Sequence, residues 1–348
     1  MALSKILPAS RDQSVDAANL VLNGSMAIAQ RGTSSTSTGY LLDRWTTSFS
    51  GVSVTTTQDT DVPSGYGFSN SIKYLNTSTS TATNAYFAPQ QIIEAQNIRN
   101  SGWDYTSSSS YITLSFWAKS SIAGTYMCSI RTEDGTAYNI SSQYTLAANT
   151  WKNIQVSFSG DSNLTFDNNN GAGLIVFPVL ELGTDYTSGS SFDVWTAHSG
   201  STQSPDADIN FMDTASATFH ITGVCLNVGD QAPANYPHRS YGDELRRCQR
   251  YYELIGYALG RAVNSSQAEV NSAFKVDKRA APTITLKNGT SAIAEFLRGA
   301  ANVTSIDSTY NSQITHCGNR VTSSDTGMNN AELVSIIKPD TFAVDAEL

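Results

Sequence analysis

Several stretches of the chain alternate apolar and polar residues with period 2, the signature of strands with one face in a core. The clearest is Tyr111-Ile-Thr-Leu-Ser-Phe-Trp-Ala-Lys119, where Ile112, Leu114, Phe116 and Ala118 share one face. The other face carries Tyr111, Thr113, Ser115 and Trp117, so half of its residues are large aromatics. Exposed aromatics on a sheet are either covered or used. A loop, a neighbouring subunit or a stacked sugar ring would each fit. Thr125 to Arg131 places Tyr126, Cys128 and Ile130 on one face. Trp151 to Phe158 places Ile154, Val156 and Phe158 inward, and Trp151, Asn153 and Gln155 outward. Leu174 to Leu180 is a continuous apolar run, as in a strand buried on both faces, and its Pro178 implies a bulge or an edge. Between Phe219 and Val228 the apolar phase slips by one at Thr222-Gly223, which reads as a β-bulge.

Helical signals are few. Ile92, Ala95 and Ile98 keep a three-residue spacing within Gln90 to Arg99, which predicts a short helix. Ser240-Tyr-Gly-Asp243 has capping-box spacing and predicts a helix over 241–254, with Leu245, Cys248 and Tyr252 on one side. From Phe274 onward the pattern is β again, with strands expected around 282–288, 292–298, 313–322, 332–338 and 341–348, and a hairpin turn at Asn288-Gly289. The fold class is therefore all-β: a jelly-roll β-sandwich, a short linker helix and a smaller C-terminal β domain. The boundaries are an N-terminal docking arm over 1–20, the sandwich over 21–229, linker and helix over 230–254, and the second β domain over 255–348.

Composition agrees with a loop-rich β protein. Only 15% of the 348 residues are charged, against about a quarter in an ordinary domain. The net charge of −9 argues against nucleic-acid binding. No apolar run is long enough to span a membrane, and the first residues lack the apolar core of a secretory leader. The four cysteines, Cys128, Cys225, Cys248 and Cys317, have no zinc-type spacing. With no sign of a leader, synthesis in a cytoplasm is the simpler expectation.

Candidate chemistry is that of contact rather than catalysis. Tyr111, Trp117 and Trp151 have an outward phase suited to stacking on a sugar or to a subunit contact. Trp103 and Tyr105 lie in a polar loop, where aromatics tend to be contact residues. Arg246, Arg247, Arg250 and Tyr251 on the linker helix are candidates for an interface. Asp206, Asp208 and Asp213 cluster without the spacing of a calcium loop, so no metal or other cofactor is assigned, a structural Ca²⁺ being the one open option. Glu133-Asp134 and Asp243-Glu244 are adjacent pairs and diverge on any regular element, and G-x-S-x-G is absent. A non-enzymatic protein is expected.

Two resemblances follow from the motifs. Asn19-Leu-Val-Leu-Asn-Gly24, Asp43-Arg-Trp45, YITLSFWAK at 111–119, Thr150-Trp-Lys152 with the alternating strand on to Ser159-Gly-Asp161, and the closing strand at 219–229 together resemble jelly-roll carbohydrate-binding modules. Over nearly the whole chain, NGSMAIAQRGTS at 23–34, QQIIEAQNIRN at 90–100, ITGVCLNVGDQAP at 221–233, HRSYGDELRRCQRYYE at 238–253, FKVDKRAAPTITL at 274–286 and the terminal VDAEL resemble phage tail and virion proteins. That resemblance implies a virion structural protein, on the tail or capsid surface, synthesised in the host cytoplasm. A tail fibre or tail-associated adhesin contacting host surface polysaccharide is the leading expectation. A homo-oligomer, most simply a trimer, would contact other virion proteins. A capsid decoration or spike protein without a ligand is the alternative, and a polysaccharide depolymerase ranks below both.

Overall fold

The computed structural model describes residues 19–206, 211–287, 292–296, 299–310, 312–324, 328, 332–336 and 341–348. The chain divides into two compact units at Tyr241/Gly242. The predicted arm over 1–20 lies outside the described residues except for Asn19 and Leu20, which are sewn into the first unit. Among the described residues no helix is long and apolar enough to cross a membrane.

The first unit is a sandwich of two antiparallel sheets. One runs, in spatial order, Ser34–Ser35, Ser53–Asp59, Ser71–Ser78, Thr218–Val228, Tyr111–Ser120 and Lys152–Ser159. The other runs Thr196–Ala197, Tyr138–Leu146, Gly124–Thr132, Ala172–Phe177, Tyr86–Glu94, Thr46–Ser50 and Gly39–Tyr40, with Glu181–Leu182 also paired to Tyr86–Glu94. The alternation in the sequence fixes which faces meet. Ile112, Leu114, Phe116 and Ala118 are fully buried against Tyr126, Cys128, Ile130, Leu174 and Val176. Each of the large aliphatic side chains and Phe116 stabilises the fold by about 1.5–3 kcal/mol. Aromatic pairs bridge the layers, with Phe116 and Tyr144 rings 5.4 Å apart and Tyr126 and Phe219 rings 5.3 Å apart.

The expected bulge is present. The register of Thr218–Val228 against Tyr111–Ser120 shifts between Thr222 and Cys225, and Gly223 adopts φ +64° there. Pro178 lies just past the strand Ala172–Phe177 rather than inside it. The segment predicted as a helix over Gln90 to Arg99 is half strand. Gln90 to Glu94 complete Tyr86–Glu94, and only Ala95–Arg99 is helical. The three-residue spacing spans that junction by coincidence, because Ala95 and Ile98 face the core from the helix while Ile93 faces it from the strand.

The opening motif forms a polar knot. The Asn23 amide donates to the carbonyls of Ile28 (2.8 Å) and Asp43 (2.9 Å) and accepts from the Ile28 N–H (2.9 Å). The Trp45 indole N–H donates to the Asn23 carbonyl at 3.0 Å. Asn23, Asp43, Arg44 and Trp45 are all essentially buried, so the low dielectric strengthens these bonds. Gly24 packs so closely on the closing strand that a Cβ would sit 2.0 Å from the Val224 carbonyl oxygen. The Arg239 side chain donates to the Asn19 carbonyl at 2.7 Å, tying the start of the unit to its last segment.

In the second unit the helix spans Tyr241–Gln249, five residues shorter at its end than predicted. Tyr252–Ile255 is instead a strand pairing with Phe342–Asp345, which in turn pairs with Thr283–Leu286. A further sheet runs Ala292–Phe296, Gly299–Tyr310, His316–Ser323, Gln267–Ala273, Ala258–Ala262 and Leu333–Ile336. The Asn288-Gly289 turn lies outside the described residues. A buried ion pair sits beside the smaller sheet. Lys278 Nζ is 2.5 Å from Glu253 Oε2 with both side chains fully buried, and it also donates to the Gln249 carbonyl. Burial pulls the Lys278 ammonium below the usual lysine range, and the Glu253 carboxylate opposes that shift.

Candidate functional site

The alternation that buries one face of each sheet turns the other outward, and two outer faces of the first unit are hollow. The larger sheet carries a groove of about 310 Å³. Its strands contribute Ser48, Tyr86, Ala88, Gln90, Ser129, Arg131, Asn139, Phe177 and Leu182, while Leu180, Tyr186 and Gln203 wall it from the connections. Tyr86 and Tyr186 meet edge to face with ring centres 6.0 Å apart. The Gln203 N–H donates to the Tyr186 carbonyl at 2.8 Å, which sets that wall.

Charge in the groove is compensated. The Arg131 guanidinium lies over the Phe177 ring at 5.7 Å and pairs with Glu133 at 2.6 Å. Its other end is 3.5 Å from His198 Nε2. Burial, then the charge of Arg131, holds the His198 imidazole below its ordinary range, so it is neutral at neutral pH. Asn139 is only 2% exposed, and its Oδ1 has no hydrogen-bond partner. A buried amide oxygen left unpaired costs about 1–3 kcal/mol. Here that acceptor belongs to a residue lining a cavity.

The smaller sheet carries the second hollow, of about 460 Å³, on the face with Trp117. Trp117 does face outward, but Tyr66 already lies against it, ring centres 4.3 Å apart. Asn153 and Gln155 pair with Trp117 and Ser115 across the neighbouring strand and line the same hollow. Its far wall is the segment 232–238, held by the ring cluster of Phe68, Tyr236 and His238.

The other sequence candidates do not join these sites. Tyr111 is exposed at the opposite end of its strand from Trp117. The Trp151 indole donates to Asp61 Oδ1 at 3.0 Å, with Lys119 over its ring and His220 against it, so its edges are used internally. Trp103 and Tyr105 are corrected outright as surface contact residues. Trp103 is 3% exposed and Tyr105 half-buried, both packed on Phe166, because their polar loop folds over the edge of the core. Tyr251 is likewise buried, and its carbonyl accepts from the Ala346 N–H at 2.7 Å, so its ring is not available to a partner. Arg246 is exposed, Arg247 pairs with Asp243 one helical turn away at 3.2 Å, and Arg250 is half-buried. Asp206 and Asp213 are exposed and Asp208 lies outside the described residues, among which no cluster of metal-ligating side chains occurs. All four cysteines are buried, and none is joined in a disulfide.

No protein-family model matches the chain, and no curated protein matches it. Solved structures with a similar chain course exist. The enzymatically active domain of tailspike protein 4 from bacteriophage CBA120 is 18% identical at a TM-score of 0.35, covering 61% of this chain. This chain spans 22% of that tailspike's length. The xylan-binding CBM22-1 domain of Xyn10C from Paenibacillus barcinonensis is 11% identical at a TM-score of 0.30, covering 62% of this chain and 96% of the module. A family 11 carbohydrate-binding module from Clostridium thermocellum is 14% identical at 0.28, covering 56% and 96%. What these proteins share with the chain is β architecture, and the groove itself has to carry the functional reading.

Proposed function

We propose that the first unit is a carbohydrate-binding module that holds an uncharged glycan in the groove lined by Tyr86 and Tyr186, and that the chain serves as an adhesin of a phage particle. The observation that carries the binding reading is a groove on the outer sheet face that joins the rings of Tyr86 and Tyr186 to the side-chain amides of Gln90 and Gln203. The Gln90 and Gln203 amides offer donors and acceptors to sugar hydroxyls, and the tyrosine faces suit sugar C–H groups. Neutrality of the ligand follows from the pairing of Arg131 with Glu133.

Binding rather than hydrolysis is part of the same proposal. Glycoside hydrolysis needs two carboxyl groups flanking the bond, and among the described residues lining the groove none is acidic. The virion location and a trimeric assembly come from the resemblance of the sequence motifs to phage tail and virion proteins.

The test is a screen of the purified chain against neutral polysaccharides, followed by Tyr186→Ala and Gln90→Ala. A ligand whose affinity falls about tenfold or more in both variants supports the groove. Unchanged binding in both sinks it, and release of new reducing ends would replace binding with depolymerisation. Immunogold labelling of particles with serum against 40–228 tests the adhesin. Label on tail or fibres supports it, label over the head favours a capsid decoration protein, and absence of label rejects both.

A further inference from the structure

We infer that the hollow over Trp117 is a second, separate saccharide site, on the opposite face of the sandwich from the groove. Its floor and walls differ in kind from an ordinary surface depression. Trp117 is half-buried at the base, directly across from Asn153 on the neighbouring strand, with Gln155 one step along the same face. Tyr66 stands over it on the loop Gly65-Tyr66-Gly67, whose two glycines take φ +85° and +78°. Those angles belong to the region that favours glycine, so the loop is built to bring the Tyr66 ring to that position. The Tyr66 carbonyl lies 3.0 Å from His238 Nε2, which locks the loop to the 232–238 wall.

Tyr66 nevertheless remains 55% exposed, so the two rings, closed on each other, give the hollow a solvent-facing aromatic wall rather than a piece of core. The cavity of about 460 Å³ falls within the usual range for small-ligand sites, about 300–1,000 Å³. Among the described residues lining it there is no carboxylate, ammonium or guanidinium, and the amides of Asn153, Gln155 and Asn235 supply donors and acceptors. Aromatic faces with neutral amides and no fixed charge select an uncharged sugar. The wall of Pro233, Tyr236 and Pro237 bounds one side, which suits a short or terminal saccharide unit rather than a long chain laid across the sheet. Two sites on opposite faces would let one module hold two strands of a surface glycan and gain from multivalency.

The experiment is ligand-detected saturation-transfer NMR on the full chain, with neutral gluco-, xylo- and N-acetylglucosamine oligosaccharides as probes. The Tyr186→Ala protein serves as background, so the groove's share of the signal is reduced, and the second substitutions, which lie on the other face, assign what remains. A member of the panel should still bind saturably there, and adding Tyr66→Ala or Gln155→Ala, both substitutions of exposed side chains, should weaken it about tenfold or more. No saturable binding in the Tyr186→Ala protein, or binding unchanged by both second substitutions, overturns the site. Because the groove is read from the Tyr186→Ala comparison and this site from Tyr66 and Gln155, either can fail alone.

Discussion

Replacing Lys278 with Met should cost the second unit about 3–5 kcal/mol, although it introduces a good apolar side chain. At 2.5 Å, two unit charges in a medium of effective dielectric near 20 attract by roughly 7 kcal/mol. Burying each charge costs several kcal/mol, so the intact pair is close to neutral for stability. Removing only the ammonium strands the fully buried Glu253 carboxylate. That carboxylate keeps the Lys275 backbone N–H at 3.1 Å, and the exposed Lys275 ammonium lies 3.8 Å away. Partial compensation places the loss at the lower end of the range. Glu253→Leu/Lys278→Met removes both charges and should recover most of the loss. The chain offers a convenient separation of signals, because all five tryptophans (Trp45, Trp103, Trp117, Trp151 and Trp195) lie in the first unit. Urea unfolding followed by tryptophan fluorescence should not move, while hydrogen exchange in Tyr252–Ile255, Thr283–Leu286 and Phe342–Asp345 should accelerate. A loss under about 1 kcal/mol for Lys278→Met, or a double variant no more stable than the single one, would refute the stranded-charge reasoning.

Three further outcomes concern the first unit, each read by urea unfolding with tryptophan fluorescence. Burial raises the Glu181 carboxyl to about 8. The folded state therefore holds its proton after the unfolded chain has lost it, and stability should fall between about pH 4.5 and 8, by up to about 1.4 kcal/mol per unit. Glu181→Gln should flatten that slope, and an equally steep slope in the variant would assign it to other groups. Gly223→Ala should cost about 2–4 kcal/mol, since φ is +64° and the new Cβ would meet Phe68 Cζ at 2.5 Å; a neutral effect would mean the bulge rearranges freely. Asn23→Ala leaves the Ile28 and Asp43 carbonyls and the Ile28 N–H without their amide partner, for a loss of about 2–4 kcal/mol, and a change below about 1 kcal/mol would show that water replaces the side chain.

The strands were legible where one face alone meets the core. Tyr111–Ser120 and Lys152–Ser159 carry that alternation, and the bulge at Thr222-Gly223 was visible as a slip in phase. Two kinds of feature were not legible. The first is local pattern overridden by tertiary pairing. Tyr252 has helical spacing from Cys248, yet Tyr252–Ile255 finds a strand partner some ninety residues away in Phe342–Asp345, and that pairing ends the helix at Gln249. The second is assembly from distant segments. Tyr86, Arg131, Asn139, Tyr186 and Gln203 form one groove only because Tyr86–Glu94, Gly124–Thr132 and Tyr138–Leu146 lie in one sheet, and strand order is not written in the period of any strand. A partial signal existed. The face of Thr125 to Arg131 opposite Tyr126, Cys128 and Ile130 carries Ser129 and Arg131, and both line the groove. Polar composition misled the reading of Trp103 and Tyr105, because a loop rich in Ser and Asp can still lay its aromatics on a core edge.

The motifs that made the sequence resemble other proteins have structural work that accounts for them. Asn23, Asp43 and Trp45 close the knot at the start of the sandwich. Glu253, Lys278 and Arg279 bring HRSYGDELRRCQRYYE, FKVDKRAAPTITL and the terminal VDAEL together, through the buried ion pair and through Arg279 Nε donating to the Ala346 carbonyl at 2.9 Å. Buried, fully bonded groups of this kind tolerate little change, since losing one partner strands the other. The two hollows draw on different residues. Tyr86, Tyr186 and Gln203, like Tyr66, lie outside those motifs, and all four are at least partly exposed. Gln90, Trp117, Asn153 and Gln155 are motif residues whose strand neighbours build the core while their own side chains serve the outer faces. A scaffold fixed by buried polar knots and ligand faces made of solvent-facing side chains can be altered separately, because a substitution on the outer face removes no partner from the knots. Resemblance through the motifs is therefore informative about architecture, and the choice of ligand has to be read from the faces themselves.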